Sequence, residues 1–216
     1  MTGIITFAVG FAISFAMPAP APATQTAAAV IAPLPSPQPR PAGAELDALS
    51  NVPLLSRGSA VISALRESDY AALSRLVHPK KGLELVPYST VDPSTDLTLT
   101  AAQIAGAAED AKVYTFGTLD GKGTPLSGTL PDYFASYVYN ADYATAPLIG
   151  VDTVQETGNA LENVIDAFPD ARFIEYHFPG LDPANEGFDW CSLKLVFEVY
   201  NNDWYLISAI HSEWTI

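Results

Sequence analysis

Residues 191–214 read CSLKLVFEVYNNDWYLISAIHSEW, and this stretch decides the fold. Two runs rich in Val, Leu, Ile, Phe, Trp and Tyr flank Asn201, Asn202 and Asp203, residues that tolerate positive φ, so the spacing predicts a β-hairpin. Working back, ARFIEYHF at 171–178 has the composition of a further strand. Upstream the periodicity turns helical. In RGSAVISALRESDYAALSRLVHP, residues 57–79, Val61, Ile62 and Leu65, then Tyr70, Leu73, Leu76 and Val77, make apolar faces on two short helices. Ser68 is placed to cap the second helix and Pro79 to end it. KGLELVPYS sets Leu83, Leu85 and Pro87 against Glu84, Val86 and Tyr88, as in a half-exposed strand in which Pro87 limits interior pairing. Thr100 with Gln103 forms a capping box, KVYTFGTL is a strand, and DGKG at 120–123 is a turn. LPDYFASYVYNAD reads as another helix, and Asn159 is placed to cap one more through ALENVIDAF, closed by Pro169. Helices early and strands late predict an α+β fold, with helices packed on an antiparallel sheet that ends in a C-terminal three-strand meander.

Charge narrows the partners. The 216 residues carry 10 Lys+Arg against 24 Asp+Glu, a net charge of −14. A chain this acidic repels polyanions, so nucleic acid is not an expected partner; cations, basic partners or solubility are what such a surface serves. Cys191 is the single cysteine, which excludes an intrachain disulfide, and its place in an apolar run reads as a small buried hydrophobe.

Ahead of the domain, residues 4–15, IITFAVGFAISF, suit the apolar core of a secretory signal and are short for a membrane span, although no Lys or Arg precedes them. Residues 1–23 are therefore expected to be a signal peptide or N-terminal anchor, with cleavage after Ala16 or Ala23 if they are removed. Residues 24–44 are a Pro/Ala-rich linker, extended because proline fixes φ and removes a donor. Residues 45–216 form a single α+β domain. Extracytoplasmic location follows, secreted or envelope-associated, with membrane contact only through an uncleaved N-terminal segment.

HPKKGLELVPYSTVD at 78–92, EYHFPGLDP at 175–183, DWCSLKLVFE at 189–198 and the terminal WYLISAIHSEWTI together resemble a group of exported bacterial domains of uncharacterised function. That resemblance implies similarity to the NTF2-like and cystatin-like class, in which helices pack on a curved antiparallel sheet, and implies little about chemistry. Cys191 stands where the pattern carries Arg, which removes a cation from that place.

Four constellations offer chemistry. Alternation puts Phe173, Glu175 and His177 on one face of their strand and Tyr205, Ile207, Ala209, His211 and Glu213 on one face of the last. If those faces coincide, Glu175, His177 and His211 cluster for acid–base work; the simpler reading is structural hydrogen bonding. Asp182, Asn185, Glu186 and Asp189 offer oxygens to calcium, yet the spacing is not an EF-hand and suits an ordinary acidic turn. His78 and Lys81, with Lys80 between them, make a cationic patch for an anionic group, already explained by the end of the preceding helix. Tyr133 and Tyr137, one helical turn apart, could border a groove for glycan or peptide, or simply face the core.

The leading expectation is an exported, non-enzymatic binding or interaction domain whose extracytoplasmic ligand or protein is not encoded in any motif. The alternatives are a hydrolase or isomerase using the Glu/His cluster, and a calcium-binding accessory domain. No cofactor other than calcium is suggested.

Overall fold

The computed structural model describes residues 48–119 and 122–215, with side chains from residue 51 onward. The leader and proline linker expected in residues 1–44 lie outside the described residues, as does half of the 120–123 turn. No helix among the described residues is long and apolar enough to cross a membrane.

Helix α1, Ala48–Arg66, starts well before Arg57 and runs through Pro53. Leu54, Val61, Ile62 and Leu65 form its buried stripe. Gly58 lies on the same side, where an added Cβ would stand 2.5 Å from Ile174 Cδ1, so glycine is what lets the helix approach the sheet. Helix α2, Tyr70–Leu76, is capped by Asp69, whose Oδ1 accepts from the Ala72 N–H at 2.7 Å. Ser68 is not the cap: it lies one residue before Asp69, in a left-handed turn at φ 52°.

Strands β1, Leu83–Val86, and β2, Leu97–Leu99, are followed by the short helix α3, Ala101–Ala105, with the expected Thr100/Gln103 capping box. Strands β3, Tyr114–Thr118, and β4, Pro125–Gly128, form a separate two-stranded ribbon. Helix α4, Leu130–Tyr133, continues as a π-helical turn over Phe134–Val138. Then come β5, Leu148–Val151, the one-turn helix α5, Val164–Ala167, and strands β6, Arg172–Phe178, β7, Cys191–Tyr200, and β8, Asp203–Glu213.

The main sheet has six strands in the order β2-β1-β8-β7-β6-β5 and is curved and unclosed. Strands β5, β6, β7 and β8 pair antiparallel in turn, and the turn between β7 and β8 uses Asn201 and Asn202 at φ 49° and 65°. Strand β1 runs parallel to β8, so the sheet is mixed rather than antiparallel throughout. All four residues of β1 are buried, where alternation alone predicts a half-exposed strand, because Leu83 and Leu85 pack into the core on one face of the sheet and Val86 into the cluster on the other.

Both faces of the sheet are covered. On the inner face Leu83, Leu85, Leu99, Ile174, Tyr176, Leu193, Leu195, Phe197, Leu206 and Ala209 pack against the helical stripe, Leu73 and Ile104. On the outer face Val86, Val91, Phe173, Val196, Ile207 and Ile210 pack under Val164 and Ala171. Between Val196 and Phe197 the pairing jumps from Ser208 to Leu206, leaving Ile207 as one extra residue in β8. This bulge turns Ile207 outward while Ala209 stays inward, breaking the alternation expected along that strand and adding local twist.

The helix expected from Asn159 to Phe168 is reduced to α5, and residues 152–163 cross the outer face as an irregular strap. Their polar groups are used elsewhere: Asn159 Nδ2 donates to the Thr215 carbonyl at 2.6 Å, and the Asn163 amide bonds both the N–H and the carbonyl of Val91. Bonding across the sheet here replaces bonding along a helix.

Candidate functional site

The outer face carries a polar layer beneath the strap. Cross-strand register sets Glu175 opposite Lys194 and His177 opposite Ser192. Glu175 and Lys194 are both fully buried. Lys194 Nζ lies 2.7 Å from Glu162 Oε2 of the strap, donates to Ser212 Oγ at 2.7 Å, and stands 4.0 Å from Glu175 Oε1. The other Glu175 oxygen accepts from the Gln155 N–H at 3.0 Å. Burial pushes the Glu175 carboxyl up, and Lys194 opposes that. His177 Nδ1 is 2.8 Å from Ser192 Oγ and its Nε2 is 3.3 Å from Glu156 Oε2. Burial, reinforced by Lys194, holds His177 down to about 4, so the ring is neutral at pH 7. Each of these three buried groups fastens one acidic or amide group of the strap, and none opens to solvent.

His211 lies on the opposite face. It pairs across strands with Leu193, an inner-core residue, and its ring meets Tyr137 edge-on at 5.7 Å. The sheet therefore separates His211 from Glu175 and His177, and the three-residue acid–base cluster expected from the sequence does not form. Alternation correctly pairs Glu175 with His177, but which face of β8 meets them depends on interstrand register. His211 is 1% exposed and its Nδ1 has no hydrogen-bond partner among the described residues; Nε2 is 3.3 Å from Glu213 Oε2.

Of the expected ligand-binding residues, Tyr133 and Tyr137 do stack, with centroids 5.2 Å apart, and Phe116 stacks on Tyr133 at 4.0 Å. His78 is buried and structural: Nδ1 accepts the N–H groups of Lys80 and Lys81 at 3.1 and 2.9 Å, and its ring packs on Tyr200. Lys81 is paired with Glu198 from β7. The cationic patch thus closes on its own carboxylate and does not present two free cations.

The acidic loop also turns inward. Asp182 Oδ1 accepts from the Ala184 N–H at 2.9 Å, while Asp189 Oδ2 accepts from the Asp182 N–H at 2.7 Å and from Asn185 Nδ2 at 2.9 Å. Glu186 adopts a left-handed turn at φ 52°. Among the described residues no group of three or more His, Cys, Asp or Glu side chains is arranged to hold a metal ion. Asp182 and Asp189 thus act as acceptors within the turn, and Asn185 donates to Asp189.

A feature that the sequence reading missed is an open cleft of ≈ 510 Å³ between the β1–β2 connection, the end of β3 and the strap. Tyr88, Thr90, Asp92, Thr95 and Asp96 line one side, Gly117, Thr118, Leu119 and Gly123 the other, and Ala160 an edge. Asp96 Oδ2 accepts from the Asp92 N–H at 2.7 Å. Burial raises Asp96 to about 6 and, with Asp96 as a like charge beside it, raises Glu84 to about 7. The local signal was the DPSTD run at 92–96, legible as a turn but silent about what faces it.

No protein-family model matches the chain, and neither does any curated protein. Among solved structures it is similar to an NTF2-like protein of unknown function from Shewanella oneidensis, at 12% identity over 76% of this chain and 98% of that one, with a TM-score of 0.30. It is similar to a candidate dehydratase of the NTF2-like family from Streptomyces avermitilis, at 17% identity over 76% and 96%, TM-score 0.29. A candidate calcium/calmodulin-dependent protein kinase II association domain from Xanthomonas campestris matches at 14% identity over 82% and 93%, TM-score 0.32.

Proposed function

We propose that this chain is an exported, non-catalytic ligand-binding domain of NTF2-like architecture, and that its ligand seat is the cleft between the β1–β2 connection and the end of β3. One observation carries the reading: Glu175 and His177 are locked under the strap and His211 lies across the sheet from them, while the cleft is open and lined by hydroxyls, carboxylates and an aromatic ring. Acid–base catalysis needs groups within hydrogen-bond reach of a substrate. Binding needs a concavity with a few convergent polar groups, which the cleft supplies.

The test is a ligand screen on the full chain followed by amide NMR. Compounds that raise the thermal midpoint should move the Gly117, Thr118 and Gly123 signals and lose their effect in Asp96→Asn. Ligands that instead perturb signals around Glu175, His177 or His211 would overturn the reading. The extracytoplasmic location rests on the apolar 4–15 run and the proline linker; the mass of the exported product should place its start after Ala16 or Ala23, and an intact, cytosolic chain would refute it.

A further inference from the structure

Strand β5 ends the main sheet on one side and leaves an open edge. The opposite edge, β2, lies beside β3 of the two-stranded ribbon, whereas among the described residues no strand lies beyond β5. The register fixes which backbone groups point outward. The Asp152 N–H donates to the Phe173 carbonyl at 2.9 Å, so alternation makes 150/175 and 148/177 hydrogen-bonded pairs as well. A trans peptide sends its N–H and C=O in opposite directions. The N–H groups of Ile149 and Val151 and the carbonyls of Pro147, Ile149 and Val151 therefore face away from β6. The Val151 carbonyl is already used, accepting from Thr153 Oγ1 at 3.1 Å. The other outward groups sit on a strand whose Leu148 and Ile149 side chains are 44% and 54% exposed. Soluble proteins commonly blunt an open edge with charge, Lys above all, yet residues 143–151, YATAPLIGV, carry none in a chain of net charge −14.

We propose that β5 pairs antiparallel with β5 of a second copy of this chain, about a two-fold axis at Ile149, joining two main sheets edge to edge. This pairing is independent of the cleft. In that register Ile149 exchanges both its bonds with the partner's Ile149, and each Val151 N–H reaches the partner's Pro147 carbonyl. Pro147 has no N–H to return, and the Val151 carbonyl that would receive one is the carbonyl already held by Thr153. The edge is thus self-complementary, each outward donor meeting an outward acceptor. Charge favours the same partner. Asp152 falls opposite the partner's Ala146 instead of another carboxylate, and it is held by Arg172 at 2.7 Å. On the other flank Asp142 stands 3.4 Å from Arg66. Repulsion between two acidic copies is least where they meet along an uncharged line, and β5 supplies one. A four-residue strand buries less than the roughly 1,200 Å² of a standard stable interface, so the dimer forms at high concentration and dissociates on dilution.

The experiment reads solvent exchange of backbone amides by NMR in the full chain at about 20 μM and at about 1 mM. The Ile149 and Val151 amides are expected to exchange about threefold or more slowly at the higher concentration, while the Gly150 amide, bonded to β6 in either state, keeps its rate. Ile149→Lys sets like charges face to face on the axis and should abolish the concentration dependence at Val151. Val199→Lys makes the same charge change at a side chain 52% exposed near the β7–β8 turn, and should keep that dependence. Concentration-independent exchange of Ile149 and Val151 in the parent would overturn the proposal, and this readout needs no variant. So would persistence of the effect in Ile149→Lys, or its loss in Val199→Lys as well. The rival apolar patch is Phe188 with Trp214, exposed and in edge contact at 5.3 Å. Slowing confined to the amides around that pair would put the contact there and refute pairing through β5.

Discussion

Replacing Lys194 by Met tests the polar layer under the strap. Lys194 is fully buried, with Nζ 2.7 Å from Glu162 Oε2, 2.7 Å from Ser212 Oγ and 4.0 Å from Glu175 Oε1. Methionine keeps the volume and deletes the charge, leaving fully buried Glu175 and nearly buried Glu162 without their cation. Removing one partner of a buried ion pair costs about 3–5 kcal/mol, a large share of the roughly 5–15 kcal/mol that holds a domain together. With an m-value of about 2 kcal/mol/M, the urea midpoint should fall by about 1.5–2.5 M. The cost should shrink at low pH. Glu175 is already raised by burial, and losing Lys194 raises it further, so protonation in the native state relieves the deletion as pH falls. Adding Glu175→Gln to Lys194→Met should restore part of the loss, since the fully buried carboxylate is then neutral while Glu162, at 13% side-chain exposure, stays unpaired. A local readout accompanies the global one: the Gln155 amide, bonded to Glu175 Oε2, should exchange faster in Lys194→Met as the strap loosens. A loss under about 1 kcal/mol that is equal at pH 5 and 8 would refute the account of this layer as a charge-compensated fastening.

Glu84→Gln tests the raised carboxyl beside Asp96. The folded value of about 7 lies above the ordinary 4.5, so the native state holds this proton more tightly and loses stability as pH rises from 4.5 through 7. Glu84→Gln should therefore gain on the parent at pH 8 and match it near pH 4.5, as read by urea midpoints; an advantage greatest at acid pH would contradict this. For His177 the sign reverses. Its folded value of about 4 lies below 6.5, so the stability it contributes is present above pH 6.5 and lost toward pH 4, and its ring resonances should titrate near pH 4. Gly82→Ala should cost about 2 kcal/mol or more, because φ is +80° and an added Cβ would lie 2.4 Å from the Leu99 carbonyl oxygen, a backbone atom with little room to yield. Calcium at millimolar concentration should leave the thermal midpoint unchanged, since Asp182 and Asp189 already accept backbone and Asn185 N–H groups; a rise abolished by Asp189→Asn would reinstate the calcium reading.

The features legible in the sequence are those decided by neighbours along the chain. Thr100 and Gln103 form their capping box because both partners lie within one turn. Asn201 and Asn202 make the tight turn because their side chains tolerate positive φ. Alternation along β6 places Glu175 beside His177 on one face and Ile174 with Tyr176 on the other. What tertiary structure alone decided involves partners far apart in sequence. The registers of β6 against β7 and of β7 against β8 set His211 facing away from Glu175 and His177, and the parallel seat of β1 beside β8 and the extra residue at Ile207 are likewise long-range outcomes. Lys194 meets its carboxylates, Glu162 and Glu175, only through packing, because they lie on the strap and on the neighbouring strand. The cleft has the same origin: Asp96, Gly117 and Ala160 come from three segments, and no local pattern encodes a concavity that exists only between segments brought together by the burial of apolar surface.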